Sequence, residues 1–204
     1  MTKIKICGLT RTIDIEYVNK ACPDYIGFVF AKSKRRVTVH QANELKSILR
    51  PNIQAVGVFV NEDIDNIIYL CNQNIIDIVQ LHGDEDEEYL KQLKRSILNP
   101  VIRAIRVQKS EDITSSQLID ADYLLLDAFK KDEYGGSGET FDWNIIQEVN
   151  KPYFLAGGIN SQNVVQAITN LKPYAIDISS GVETDGYKDK EKIIDIITKV
   201  RSVK

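Results

Sequence analysis

The sequence predicts an α/β fold, a closed (β/α)8 barrel in which eight parallel strands alternate with helices. Short apolar runs recur about every 25 residues along the chain of 204 residues, and each is followed by a segment with helical periodicity. The near-repeat of Gly27-Phe28-Val29-Phe30 and Gly57-Val58-Phe59-Val60 is continuously apolar, which is typical of parallel strands buried on both faces. No break in composition divides the chain, so residues 1–204 are expected to form one barrel domain. A doubly wound open sheet is the competing architecture, and it would leave two unpaired edges.

Each predicted element follows from this alternation. The predicted strands are Lys3–Cys7, Tyr25–Phe30, Ile53–Val60, Ile76–Leu81, Val101–Val107, Tyr123–Asp127, Tyr153–Ala156 and Tyr174–Ile178. The predicted helices are Thr10–Ala21, Gln41–Leu49, Asp63–Asn72, Glu85–Lys94, Glu111–Ile119, Trp143–Val149, Ser161–Leu171 and Lys190–Arg201. Thr10 and Asn61 are the expected N-caps of the first and third helices. The fifth helical segment is polar throughout, so a loop is the alternative there.

Composition excludes several classes of protein. The chain is 43% hydrophobic and 27% charged, within the range of soluble globular proteins, and its net charge of −3 gives no basic field for nonspecific nucleic-acid binding. No export signal and no apolar run of about 18 residues occurs, so no membrane partner is expected and a cytoplasmic location is predicted. The oligomeric state is left open between monomer and homodimer.

Cysteine and histidine usage argues against a metal site. The three cysteines, Cys7, Cys22 and Cys71, are widely spaced and include no C-x-x-C pair, which indicates reduced thiols. The two histidines, His40 and His82, are too few for a polyhistidine site. Neither a disulfide framework, a structural zinc site nor a polyhistidine metal site is therefore expected.

Three glycine-containing loops follow predicted strands. Gly135-Gly136-Ser137-Gly138 lies in a long loop from Phe129 to Thr140, and the other two are Ala156-Gly157-Gly158-Ile159-Asn160 and Asp177-Ile178-Ser179-Ser180-Gly181-Val182-Glu183. Glycine lets backbone N–H groups approach an anion, and the loops after strands 7 and 8 commonly hold phosphate in α/β barrels. A phosphate site is therefore predicted there, at the C-terminal ends of those strands. The loop from Phe129 to Thr140 is expected to close over the substrate, although a flexible surface connection is the alternative.

Two strand ends carry groups suited to acid–base chemistry. Cys7 precedes Gly8 and the expected cap Thr10, so a nearby helix N-terminus would favour its thiolate form and make it a base. Asp127 follows Leu124-Leu125-Leu126, where burial would favour the protonated carboxyl and make it a general acid. The alternatives are a buried inert thiol at residue 7 and a simple capping aspartate at residue 127.

Other strand ends carry candidate binding residues. Arg35 or Arg36, in a basic loop, could hold a substrate carboxylate with two hydrogen bonds, although a solvated loop is the ordinary interpretation. Gln80, His82, Arg106 and Asp177 complete the set of polar side chains at strand ends.

In this order, these motifs resemble the phosphoribosylanthranilate isomerase family over nearly the whole chain. The matching segments are Lys5-Ile6-Cys7-Gly8-Leu9-Thr10, Gly27-Phe28-Val29-Phe30, Val58-Phe59-Val60-Asn61, Val79-Gln80-Leu81-His82-Gly83, Gly135-Gly136-Ser137-Gly138 and Asp177-Ile178-Ser179-Ser180-Gly181-Val182-Glu183. The resemblance implies an Amadori rearrangement of N-(5-phosphoribosyl)anthranilate in tryptophan biosynthesis, without a cofactor or metal.

The resemblance also implies a role for individual residues. Cys7 corresponds to the base that removes the C2′ proton, and Asp127 to the acid that protonates the furanose oxygen. Arg35 corresponds best to the carboxylate-binding arginine, although a shortened loop leaves Arg36 as an alternative. Substrate-binding roles are implied for Gln80, His82 and Asp177, and phosphate binding by backbone amides for Gly157, Gly158, Ser180 and Gly181. The alternatives are another sugar-phosphate isomerase or epimerase on the same barrel, or a phosphate-ligand binding module without activity.

Overall fold

Eight parallel strands close into a barrel in a computed structural model that describes residues 1–128, 142–146 and 148–203. The strands are β1 (Lys3–Cys7), β2 (Tyr25–Val29), β3 (Gln54–Phe59), β4 (Ile78–Leu81), β5 (Val101–Val107), β6 (Tyr123–Ala128), β7 (Tyr153–Leu155) and β8 (Ala175–Ile178). Closure occurs because β1 pairs in parallel with both β2 and β8. The predicted barrel is confirmed, and the open sheet is wrong.

Seven α-helices surround the described part of the barrel. They are α1 (Thr12–Ala21), α2 (Val39–Ser47), α3 (Ile64–Asn72), α4 (Glu87–Ser96), α5 (Ser110–Ser116), α6 (Val164–Leu171) and α7 (Lys190–Ser202). The polar fifth segment is therefore helical over Ser110–Ser116, with Ile113 and Ser116 buried. A short hairpin, β9 (Glu183–Thr184) and β10 (Tyr187–Lys188), precedes α7.

Three local predictions are wrong. The first helix is capped at Arg11 rather than Thr10, because Asp14 accepts hydrogen bonds from both backbone N–H groups and draws the first turn to them. The third is capped by Asp63, whose carboxylate accepts from the Asp65 N–H. The predicted α-helix at 143–149 is a single 3-10 turn, Trp143–Ile145, since Ile146 has extended backbone angles and its N–H bonds to the Trp143 carbonyl.

The long loop predicted to act as a lid lies outside the described residues, because the description resumes at residue 142. Its closure over a substrate stays a prediction.

Apolar side chains fill the space on both sides of the barrel wall. The larger cluster packs the outer face of the strands against the helices, and α7 contributes Ile193, Ile196 and Val200 to it. A smaller cluster fills the barrel interior with Tyr25, Val56, Ile78, Ile102, Ala104, Leu125, Phe154, Ala156 and Ala175. Because side chains alternate along a strand, the residue two positions further on points into the barrel above this layer.

Candidate active site

Polar side chains form the layer directly above the apolar interior of the barrel. Gln80, Asp127 and Asp177 lie two residues beyond Ile78, Leu125 and Ala175 on the same strand faces. Cys7, the last residue of β1, is paired in register with Gly27 in the middle of β2. The period of two therefore places a thiol, an amide and two carboxyl groups at the C-terminal mouth of the barrel.

These side chains open into one cavity of about 380 Å³. Nine of the ten predicted site residues line it, namely Cys7, Arg35, Gln80, His82, Asp127, Gly157, Gly158, Asp177 and Ser180. Three valines at or just beyond the ends of β2 and β3, and Ile159 after β7, contribute apolar wall, which suits a ligand with both an aromatic and a charged part. Gly181, the tenth residue, does not line the cavity and directly follows Ser180, which does.

Cys7 is held against the floor of the cavity by close packing. Its side chain is 8% exposed, and a methyl group placed on Gly27 would approach its Sγ atom to 2.6 Å. Glycine at position 27 is therefore what leaves room for the sulfur. The carbonyl oxygen of Cys7 accepts a hydrogen bond from Ser179 Oγ, which ties β1 to the loop after β8.

The expected activation of Cys7 by a helix N-terminus is wrong. The first helix begins five residues later, at Thr12, and burial raises the pKa of the Cys7 thiol above its ordinary value. Positive charge on Lys5 and Lys188 opposes this increase, and negative charge on Asp177 adds to it. Burial and the balance of these three charges therefore decide how much thiolate forms.

Asp127 is buried at the end of β6 and meets His82. One carboxyl oxygen accepts from the Ala128 N–H, and the other lies 3.3 Å from His82 Nε2 without the alignment of a hydrogen bond. On the far side of the ring, Gln80 Nε2 lies 2.8 Å from His82 Nδ1. With the amide as donor, Nδ1 accepts and the ring proton lies on Nε2, facing Asp127. Gln80 and His82 thus form a chain that ends at the carboxyl group.

Arg35, and not Arg36, points into the cavity. Its Nε and Nη2 atoms donate to the two oxygens of Glu183 at 2.7 and 2.8 Å, a bidentate pair that fixes the plane of the guanidinium group. Lys188 Nζ also contacts Glu183, at 2.5 Å. Arg36 is exposed and absent from the lining. Arg106 is at the rim, where it pairs with Asp84.

The loops after β7 and β8 present backbone amides to the same cavity. Gly157 and Gly158 adopt φ angles of +82° and +64°, a left-handed conformation that favours glycine. Within the described ranges, no protein acceptor is found for the N–H groups of Gly157, Gly158, Ser180 and Gly181. Successive free N–H groups of this kind form a concave site for an anion.

Gly181 controls how closely these two loops approach each other. A methyl group on it would overlap the backbone carbonyl oxygen of Ile159. Gly181→Ala should therefore push the loops apart, raising KM for a phosphorylated substrate and lowering the free energy of unfolding by about 1–3 kcal/mol. Steady-state kinetics and urea unfolding measure the two effects.

Gly57→Ala is the matched control for Gly181→Ala, since its methyl group would crowd Phe59 and Ile76 on the helix side of the barrel. This control should lose stability with an unchanged KM. An equal rise in KM in both variants would show that the loops after β7 and β8 have no special part in binding.

Three buried polar atoms at the cavity have no protein partner among the described residues. They are Gln80 Oε1, His82 Nε2 and Asp177 Oδ1. Because an unpaired buried polar atom costs about 1–3 kcal/mol, their convergence on one cavity indicates a polar ligand. No group of three or more histidine, cysteine or acidic side chains arranged for a metal ion occurs in the described parts of the chain.

Comparison with known proteins identifies the family. Residues 4–199 match the family model described as N-(5'phosphoribosyl)anthranilate (PRA) isomerase. A protein of this name from Endomicrobium trichonymphae is 50% identical over 203 residues, with all of both chains covered. The chain belongs to the phosphoribosylanthranilate isomerase family.

Solved structures of the family share the barrel described above. The phosphoribosyl anthranilate isomerase of Thermotoga maritima superimposes with a TM-score of 0.89 at 34% identity, covering 99% of this chain and 100% of that one. A second isomerase structure, in complex with reduced 1-(o-carboxyphenylamino)-1-deoxyribulose 5-phosphate, gives a TM-score of 0.83 at 32% identity, with 99% and 100% covered.

The predicted set for the isomerase site omitted Lys5, Glu183 and Lys188. Lys5 is fully buried, and its Nζ lies 2.8 Å from Asp177 Oδ2. A signal for Lys5 existed, because a lysine inside a buried strand and two residues before Cys7 must share its face. Glu183 and Lys188 gave no such signal, since their contacts depend on the fold of the β9–β10 hairpin.

Proposed function

We propose that this chain acts as a phosphoribosylanthranilate isomerase in tryptophan biosynthesis, with Cys7 as general base and Asp127 as general acid. The observation that carries the proposal is that one cavity is lined by a buried thiol, a buried carboxyl group and the glycine loops after β7 and β8. Family membership indicates the reaction, and this geometry supports an acid for its ring opening and a base for its proton abstraction.

The acid step is ring opening. The Asp127 carboxyl donates its proton to the furanose oxygen, the C1′–O bond breaks, and the anthranilate nitrogen takes up the positive charge as an iminium. His82 Nε2, 3.3 Å from Asp127 Oδ2, donates toward the carboxylate that remains. Such a donor stabilises negative charge where it develops.

The base step is the transfer of hydrogen from C2′. The iminium makes the C2′ proton acidic, the Cys7 thiolate removes it, and the electron pair forms the C1′–C2′ double bond of an enolamine. Return of a proton to C1′ and loss of the hydroxyl proton at O2′ give the ketone. Protons balance over the cycle, so the reaction needs neither an oxidant nor a cofactor.

Both ends of the substrate are anionic, and each is assigned to a different part of the site. The anthranilate carboxylate is assigned to Arg35, whose guanidinium is already held in one plane by Glu183. The phosphate is assigned to the amides of Gly157, Gly158 and Ser180, with Gly181 setting the loop spacing. Gln80 and Asp177 each retain an unpaired oxygen for the hydroxyl and amine groups between these ends.

Arg35→Ala should raise KM by about 10- to 100-fold with a smaller effect on kcat. The contact with the anthranilate carboxylate exists in both ground and transition states, and a hydrogen bond between charged groups contributes about 1.5–3 kcal/mol. Steady-state kinetics with phosphoribosylanthranilate measure the change.

Arg36→Ala, next in the chain and exposed, is the control for Arg35→Ala and should leave KM within about twofold of the wild-type value. Reversed effects would assign the carboxylate to Arg36.

The function itself is tested with purified protein by following the loss of phosphoribosylanthranilate fluorescence. Restored growth of a tryptophan auxotroph that lacks this enzyme is the second measurement. A barrel that merely binds phosphate ligands would show no turnover, and another sugar-phosphate isomerase would act equally on substrates without the anthranilate carboxylate. Either result would reject the proposed function.

The partner assigned to the site is a small phosphorylated molecule, and the proposed compartment is the cytoplasm, where the three free cysteines would stay reduced. No helix of the described residues combines the length and apolar character needed to cross a membrane. The alternatives of monomer and homodimer stay a prediction.

A further inference from the structure

Cys7 lies among five charged side chains contributed by four parts of the fold. Lys5 comes from β1 and Asp177 from β8, where the two are paired in register. Arg35 comes from the loop after β2, and Glu183 and Lys188 come from the β9–β10 hairpin. Burial has the largest effect on the pKa of the Cys7 thiol and raises it, whereas the charges of Lys5 and Lys188 lower it and that of Asp177 raises it further.

These five groups form two connected sets of ion pairs. Lys5 and Asp177 make one buried pair, at 2.8 Å. Glu183 binds Arg35 and Lys188 together, and Lys188 Nζ also donates to the Ser179 carbonyl at 3.0 Å. Lys5 and Lys188 are 0% and 4% exposed, so water contributes little to balancing their charge.

Counting charges gives three cations, Lys5, Arg35 and Lys188, against two carboxylates, Asp177 and Glu183. One positive charge is left over in a buried cluster, which is costly unless an anion neutralises it. Cys7 lies two residues beyond Lys5 on the same face of β1, and its carbonyl oxygen accepts from Ser179, whose own carbonyl accepts from Lys188 Nζ. The Cys7 thiolate would bring the net charge of the cluster to zero.

We propose that Lys5 and Lys188 are positioning residues that favour the thiolate form of Cys7 and so oppose the effect of its burial, by leaving one uncompensated positive charge in the cluster around it. The inference rests on the proposed role of Cys7 as the base, and it explains how a thiol this deeply buried can serve in that role. Neither lysine is assigned a contact with the reacting atoms.

The two lysines are not equivalent. Although burial lowers it, the pKa of Lys5 lies above its ordinary value because the negative charges of Asp177 and Cys7 raise it, so Lys5 remains an ammonium ion. The pKa of Lys188 is lowered by burial, and Glu183 only partly opposes this. Lys5 is therefore expected to have the larger influence on the thiol.

The test is titration of Cys7 in the full-length, substrate-free protein carrying Cys22→Ser and Cys71→Ala, which leaves one thiol. The rate of alkylation by iodoacetamide is measured against pH, and thiolate absorbance in the ultraviolet provides a second readout. Lys5→Met should move the titration to higher pH and slow alkylation at about pH 7 by about tenfold or more, since one pKa unit changes the thiolate fraction about tenfold.

Asp177→Asn should shift the titration of Cys7 in the opposite direction from Lys5→Met. It removes negative charge near the sulfur, so the titration should move to lower pH and alkylation should speed up. Lys188→Met should act in the same direction as Lys5→Met, by a smaller factor. If Lys5→Met does not fold, Asp177→Asn and Lys188→Met still predict shifts of opposite sign.

Equal shifts in the same direction for Lys5→Met and Asp177→Asn would indicate structural damage and overturn the proposal, as would an unchanged titration in both lysine variants. The outcome is separate from that of the proposed function, because no substrate is present. Loss of activity in Cys7→Ser together with an unmoved titration would leave the isomerase mechanism standing and reject the role given to the two lysines.

Discussion

Cys7→Ser is expected to lower kcat by about 10² to 10⁴-fold, the usual contribution of a general base. A serine hydroxyl fits the space beside Gly27 but does not ionise near neutral pH, so the C2′ proton would have no acceptor. Stopped-flow or steady-state fluorescence assays of phosphoribosylanthranilate turnover measure the decrease in kcat. Circular dichroism and thermal unfolding should remain native.

Cys71→Ser is the matched control for Cys7→Ser. Cys71 is also a buried thiol, but it lies on α3 outside the cavity lining, and burial raises its pKa to about 11. This control should lose some stability and keep its kcat. Wild-type turnover in Cys7→Ser would remove the thiol from the mechanism.

The pH profile of kcat/KM provides a second check on Cys7, since it reports groups of the free enzyme. Because burial raises the pKa of this thiol, the thiolate fraction should still be rising through neutral pH and beyond. The rising limb is therefore expected above the ordinary thiol range where chemistry limits the rate. It should be altered in Cys7→Ser.

Asp127→Asn is expected to reduce kcat by a similar factor of about 10² to 10⁴, because the amide cannot donate an acidic proton to the furanose oxygen. The substitution preserves the shape of the side chain, and its oxygen can still accept from the Ala128 N–H. KM should change little, since the lost interaction develops in the transition state.

Asp120→Asn is the control for this second substitution, as Asp120 is exposed and pairs with a surface lysine, Lys94. It should match the wild type in every kinetic constant. Full activity of Asp127→Asn would transfer the role of acid to another group, with His82 the first to examine.

The linear pattern of the chain is enough to predict the closed barrel and nearly all of the polar layer. A period of two fixes which strand residues face inward, so the sequence alone places Gln80, Asp127 and Asp177 at the mouth of the barrel, where the cavity is found. The glycine loops after β7 and β8 are likewise recognisable, because the positive φ angles of Gly157 and Gly158 favour glycine and a methyl group on Gly181 would overlap the carbonyl oxygen of Ile159.

The chemical state of these groups depends on contacts between residues distant in sequence. The lowered pKa expected for Cys7 is not found, because burial raises it. One of the charges that oppose burial is Lys188, which lies 181 positions away in the chain, on the β9–β10 hairpin. Glu183 similarly decides that Arg35 rather than Arg36 faces the cavity. The sequence determined which groups lie at the strand ends. Burial and charge pairing, which exist only in the folded protein, decided the protonation state and the side-chain orientation of those groups.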